Sequence, residues 1–226
     1  KNLKNGAWDN DGRRNLYNKS YLDYKKFNLL FRYSKKKKIE CFASIFSKKD
    51  LRIHEKINKK IVKIPSSEAY DISLINLALK KFKKVIVSTG ALNKKELNKL
   101  IKIKNKKLIL LHCVSSYPLK DIDTNFYKFK YLKKNFSRVG YSGHSASIND
   151  AIWAISNNAC LVEKHFTINQ NLKGRDNKFA LLPNSLKEIV KFRDFHCISN
   201  TKKTINIQKS EKDVFKHYRG RWKLND

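Results

Sequence analysis

His144 in GYSGHS and His165 in VEKHFT lie 21 residues apart, each at the end of a short apolar run. If those runs are neighbouring parallel strands, about 4.8 Å apart, both imidazoles can reach one ion at about 2.0–2.2 Å. A histidine at a strand end serves equally well as an ordinary satisfied polar residue or a general base, and two imidazoles do not complete a coordination sphere. Glu163, which shares strand parity with His165, and Asp176, in the glycine-bearing loop NLKGRDNK, are the nearby carboxylates that could add to it. Salt bridges to Lys164 or Lys173 and a turn aspartate are their plainer roles.

Phosphate capture is the second chemistry the residue types allow. Lys63 sits inside an otherwise apolar strand, and a buried lysine needs a partner, either a carboxylate such as Glu68 or a bound anion. Ser66, Ser88 and Ser142, from three different strands, could donate hydroxyl hydrogen bonds to the same phosphate oxygens. Any one of them could instead cap the helix that follows.

The elements that must position these groups follow from a repeating pattern. Short β-branched runs at 39–46, 61–68, 85–90, 108–113, 138–144 and 159–166 start 21 to 30 residues apart, the length of a strand, a helix and two loops. Lysine-bearing amphipathic segments intervene. Ser47 with Asp50, Asn93 with Glu96, and Ser185 with Glu188 carry the cap-x-x-acid signature of helix starts. In SLINLALKKF, Leu74, Leu77, Ala78 and Phe82 share one face. Polar residues gather at the C-terminal ends of the runs, where parallel α/β folds bind ligands. Six strands with one polar rim predict an α/β fold of the incomplete TIM (β/α)8 type, two strands short. Before the first run, residues 21–38 predict a helix with Leu22, Phe27, Leu30 and Phe31 inward. After Ser199 the chain reads as a linker, 200–226.

Charge is the strongest compositional signal: 51 Lys and Arg against 19 Asp and Glu give a formal +32. Lysines scattered along every segment argue for a compositional bias rather than a phosphate-tracking patch, so no specific nucleic-acid partner is expected, although such a surface helps draw in anionic substrates. The run Lys35 to Lys38 reads as a solvated helix end. Cys41, Cys113, Cys160 and Cys197 form no CxxC pair and three lie in or beside apolar runs, which predicts buried free thiols in a reducing, cytoplasmic setting. No apolar run is long enough to cross a membrane. The chain contains no methionine, so a start inside a longer gene product is expected.

The blocks KIPSSE, VIVSTG, LLHCVSSYP, VGYSGH and VEKHFT, followed by the KGRD loop, resemble the sialic acid synthase family in order and spacing, from roughly Asp11 to Ser199. That family includes N-acetylneuraminate synthase and its legionaminic, pseudaminic and spore-coat polysaccharide relatives. The resemblance implies a (β/α)8 barrel that condenses phosphoenolpyruvate with an N-acylated amino sugar such as N-acetylmannosamine, giving a nonulosonic acid and phosphate. It implies a divalent cation, manganese or magnesium, on His144 and His165. It assigns phosphoenolpyruvate to Lys63, Ser44, Ser66, Ser88 and Ser142, catalytic roles to Glu68 and Lys63, and sugar or water contacts to Glu68, Tyr117 and Asp176.

On this resemblance residues 1–199 form strands three to eight, and 200–226 lead toward an absent C-terminal antifreeze-like domain that contributes to a homodimer in the full-length form. The isolated chain is then expected to be inactive. The family's usual SDH motif is here Ser142-Gly143-His144, and Ser67 replaces a glycine in the usual GSGE block. A barrel kept without catalysis and a basic nucleic-acid binder are therefore the alternative expectations.

Overall fold

The computed structural model describes residues 19, 21–202 and 204–223. The first residues of the expected barrel, 1–18, lie outside that range.

The first described helix, α1 (Tyr24–Lys36), ends in the lysine run and is capped by the Asp23 side chain. Helix α2 (Lys48–Ile57) begins at Ser47, whose hydroxyl accepts from the Asp50 amide. There follow β1 (Ile61–Ile64), α3 (Ile72–Lys81), β2 (Lys84–Ser88) and α4 (Lys94–Ile101). The capping box of α4, between Asn93 and Glu96, is formed as expected. Next come β3 (Leu108–Cys113), α5 (Phe126–Asn135), β4 (Val139–Gly143), α6 (Asn149–Ser156) and β5 (Val162–Lys164). The long α7 (Pro183–Ser199) and the short α8 (Lys212–His217) close the described chain.

The strands form one parallel sheet in the sequential order β1-β2-β3-β4-β5. Right-handed crossovers between sequential parallel strands place the connecting helices α3 to α6 on the same face, so the sheet curls into a half barrel. The alternation along the strands sorts side chains between the two faces. Val62, Ile64, Val85, Val87, Leu108, Leu110, Val139 and Tyr141 pack with the helices in the main core. Ile86, Ile109 and Leu111, with Phe42, Ile61 and Leu161 against them, form a separate cluster on the concave face.

Several expectations need correction. The run at 39–46 is not a strand: it meets β1 through a single bridge, Ser44 to Lys63, with Ile45 N donating to Lys63 O at 2.9 Å and Lys63 N to Ala43 O at 3.1 Å. Among the described residues it pairs on one side, and its flanks Ile39 and Phe46 are exposed. On the other edge Leu181 bridges to Phe166 beyond β5. Helix α7 starts at Pro183, whose fixed φ suits a first helical position, so Ser185 lies inside the helix and caps nothing. In α1, Phe27 and Phe31 turn inward to edge onto His54, whereas Leu22 and Leu30 are exposed. All four cysteines are free thiols, but only Cys113 is buried; Cys160 and Cys197 are exposed. The stretch read as a linker holds α8. Among the described residues no helix is long and apolar enough to cross a membrane.

Candidate active site at the strand ends

Period-two alternation brings Lys63, Ser88, Cys113, Ser142 and Glu163 to the concave face at the C-terminal ends of the strands, with Cys113 beside Ser142 and Ser142 beside Glu163 in register. Lys63 finds its carboxylate there. Its ammonium is in close contact with Glu163, which also accepts a hydrogen bond from the Ser142 hydroxyl at 2.8 Å. The expected pairing of Lys63 with Glu68 is thus corrected. Pro65, which has no amide hydrogen to donate, ends β1, and Ser66 to Glu68 form a 3-10 turn beyond it. Glu163 in turn serves Lys63 and Ser142 rather than Lys164.

The 3-10 turn carries Ser66 into the rim. Its hydroxyl accepts from the Gly90 amide at 3.1 Å and lies 3.6 Å from Cys113 Sγ. Gly90 is required here, because a Cβ would stand 2.3 Å from Ser115 Oγ and 2.6 Å from Ser66 Oγ. Among the described residues the buried hydroxyls of Ser88 and Ser115 find no hydrogen-bond partner. A buried donor without a partner is uncommon and marks a place where a ligand can satisfy it. Burial raises the Cys113 thiol pKa, opposed by the Ser66 hydroxyl and by Lys63, so the thiol stays protonated. Ser44 sits at the exposed margin beside Lys63.

The two histidines meet. His144 and His165 have ring centroids 5.4 Å apart, and Ser142, Gly143, His144, Glu163, Lys164 and His165 line a cleft of about 230 Å³. His144 Nδ1 lies 2.7 Å from the carbonyl oxygen of Val114. A carbonyl can only accept, so Nδ1 carries the proton and Nε2 keeps its lone pair. Burial pulls the pKa of His144 down to about 4, against the Val114 hydrogen bond. Burial also lowers His165, opposed by Asp176, whose carboxylate is 3.7 Å from Nδ1. Both rings are therefore neutral at pH 7. Tyr117 lies over His144 with ring centroids 4.1 Å apart and meets His165 edge-on at 6.0 Å.

Among the described residues no group of three or more His, Cys, Asp or Glu side chains is arranged to hold a metal ion. The donor set that exists is a pair of neutral imidazoles, one with its tautomer fixed. Such a pair fits a divalent ion whose other positions are taken by water or substrate oxygen. A larger hollow of about 530 Å³, lined by Arg32, Lys35, Lys38, Glu40 and Lys60 among others, lies away from these groups and contains none of them.

Two contributors had escaped the sequence reading. The Val114 carbonyl carries no signal in a sequence. Asp150, paired with Lys164 behind the cleft, resembles any acid in a first helical turn.

The sequence profile described as the NeuB family matches residues 1–203. Pseudaminic acid synthase of Campylobacter jejuni strain 81-176 is 33% identical over 193 residues, which are 83% of this chain and 56% of that protein. N,N'-diacetyllegionaminic acid synthase of Campylobacter jejuni is 32% identical over 192 residues, 82% of this chain and 57% of that protein. A crystal structure of N-acetylneuraminic acid synthetase from Leptospira borgpetersenii, in complex with citrate, superposes with a TM-score of 0.83 at 31% identity. It covers 95% of this chain and 77% of that one. The chain spans just over half the length of the curated relatives it matches.

Proposed function

Because the chain belongs to the NeuB family, we propose that the protein containing it condenses phosphoenolpyruvate with an N-acylated amino sugar of the N-acetylmannosamine type, giving a nonulosonic acid and inorganic phosphate. The observation that carries this reading is the convergence of Lys63, Ser66, Ser88 and Ser142 beside the paired rings of His144 and His165. A cation, hydroxyl donors and two neutral imidazoles at one sheet end suit a phosphorylated substrate next to a carbonyl.

In this reading Lys63 exchanges Glu163 for the phosphate. Ser66, Ser88 and Ser142, with Ser44 at the margin, donate to its oxygens, where negative charge grows as the ester breaks. The enol carbon of phosphoenolpyruvate forms the new C–C bond to the open-chain sugar aldehyde. Water adds at C2, and phosphate leaves with the electron pair of the bond that breaks. Glu68 orients the sugar and exchanges protons with its reacting oxygen, while Tyr117 over His144 and Asp176 beside His165 contact sugar or water.

A divalent cation would be held by His144 and His165, and when bound it would polarise the aldehyde oxygen as a Lewis acid. Manganese and magnesium are the candidate ions, with water or substrate oxygen at the positions the two imidazoles leave open. The proposal extends to a homodimer in a cytoplasmic setting, a compartment that suits the free thiols.

Phosphate release from phosphoenolpyruvate by the full-length protein that contains this chain, assayed with N-acylated hexosamines and with or without manganese, tests the reading. Metal-dependent turnover is expected, and Lys63→Met should lower it by at least about 100-fold with little change in fold. Absence of turnover with every N-acylated hexosamine overturns it. Gly143, where the resemblance leads one to expect the acid of an SDH motif, favours a second reading, a barrel kept without catalysis. Metal binding unaffected by His144→Ala would speak for that reading.

A further inference from the structure

Gly143 has no side chain, yet the space one would occupy is filled. A Cβ there would stand 2.4 Å from Asp150 Oδ2, 2.6 Å from Tyr141 Cε1 and 3.0 Å from Lys164 Cδ. Gly143 and Lys164 are register partners on β4 and β5, and each immediately precedes one of the two histidines. Asp150 reaches this point from the first turn of α6. Its carboxylate accepts from Lys164 Nζ at 2.9 and 2.8 Å, from the Tyr141 hydroxyl at 3.0 Å and from the Ala151 amide at 2.7 Å. Lys164 Nζ also donates to the carbonyls of Ser145 at 2.7 Å and Ser147 at 3.0 Å, in the loop that leaves His144. Both partners are buried, with side-chain exposures of 6% for Lys164 and 3% for Asp150.

We infer that Asp150 is a positioning residue for the histidine pair. Acting through Lys164, it ties the end of β4, the Ser145 to Ser147 loop and the end of β5 together, and so sets the spacing and ring orientation of His144 and His165. Positions 143 and 150 open onto one slot with room for a single carboxylate. This chain fills it from the helix, with glycine at 143 making way. The carboxylate of this slot is therefore supplied by Asp150 on the helix and not by the strand. The inference rests on the reading of His144 and His165 as the working pair of the site.

The geometry requires a particular pattern of coupling. An acid introduced at 143 while Asp150 is present places two carboxylates in one buried slot, where one lysine cannot neutralise both. The same acid introduced with Asp150 removed has Lys164 to itself.

The experiment compares the full chain with Asp150→Ala, Gly143→Asp and the double variant, reading melting temperature and the ring nitrogen NMR signals of His144 and His165. Each single variant should lower the melting temperature by on the order of 5 °C or more. Asp150→Ala should also shift both ring signals. The double variant should recover most of the melting temperature and return the signals toward their original positions. A double variant no better than Asp150→Ala, or ring signals unmoved by that substitution, overturns the inference. Should Asp150→Ala not fold, Asp150→Asn keeps the shape while removing the charge, and the ring signals must still move. A cobalt(II) titration of the unsubstituted chain keeps the two claims apart: no cobalt spectrum counts against the metal reading alone, because the positioning by Asp150 is read from melting and from the rings.

Discussion

Two lysines of this sheet end carry carboxylate partners, and the two pairs have little else in common. Lys63 and Glu163 face the concave side, with side-chain exposures of 15% and 30%, and among the described residues only Ser142 adds a hydrogen bond to the pair. Lys164 and Asp150 lie on the helix side, nearly sealed, with Tyr141 and two loop carbonyls completing the shell. Glu163 and Lys164 are adjacent in sequence, so strand alternation alone sends one to the mouth and the other to the packed layer. The buried pair cannot open without leaving a charge uncompensated, whereas the pair in the mouth can exchange partners with a ligand from solvent. One pair is locked into the packed layer, and the other lies where solvent reaches it.

The largest expected effect comes from breaking the sealed pair from its other side. Lys164→Met leaves the Asp150 carboxylate buried without its counter-ion, and loss of one partner of a buried pair costs about 3–5 kcal/mol. Urea denaturation should show a midpoint shift of that size. A shift under about 1 kcal/mol would place this pair with the exposed ones and erase the contrast.

Much of this arrangement was legible in the sequence and some was not, for identifiable reasons. Strong period-two runs flanked by capped helices located β1 to β5 within a few residues, because burial on both faces of a parallel strand leaves a nearly continuous apolar signature. The run at 39–46 has the same signature and, among the described residues, still makes only one bridge, since pairing depends on neighbours that composition does not report. Lys63 was recognisable as a charge needing a partner. The partner chosen by proximity in sequence, Glu68, lies on a turn past Pro65, while the real one is a hundred residues away on the same face of the sheet. His144, His165, Asp176 and Tyr117 are brought into one cluster, and the closing contacts of Asp150 and the Val114 carbonyl depend on three-dimensional packing alone.

The helix side of the sheet excludes charge at a second point, which gives an intermediate effect. His112 is fully buried among Phe126, Phe129 and Tyr141, with Nε2 2.9 Å from the Thr124 carbonyl oxygen and Nδ1 without a partner among the described residues. Burial lowers its pKa from 6.5 to about 4. The unfolded chain therefore binds a proton that the folded chain refuses across that interval. Stability should be intact above about pH 6.5 and fall as the pH drops toward 4, by at most about 3 kcal/mol from this group. His112→Gln, which retains a donor for Thr124, should flatten that part of the acid-unfolding curve. An unchanged slope between pH 6.5 and 4 would assign the acid sensitivity to other groups.

The smallest effect on stability is expected where the contrast is sharpest, at Glu163. Glutamine keeps the carbonyl oxygen that accepts from Ser142 and is close to isosteric, so Glu163→Gln removes the charge opposite Lys63 and little else. A partly exposed pair contributes about 0–1 kcal/mol, and the melting temperature should change correspondingly little. The change should appear in anion binding instead. In the unliganded chain Glu163 competes with any phosphate for Lys63, so removing the competitor should tighten binding of inorganic phosphate, a probe that requires no turnover. Calorimetric titration of phosphate into both forms measures this directly. Tighter binding with an unchanged melting temperature makes the pair a placeholder. A fall in melting temperature comparable to that of Lys164→Met, with no gain in phosphate affinity, would show that Lys63 and Glu163 are as structural as the pair behind them and that the two faces of the sheet end do not divide the work.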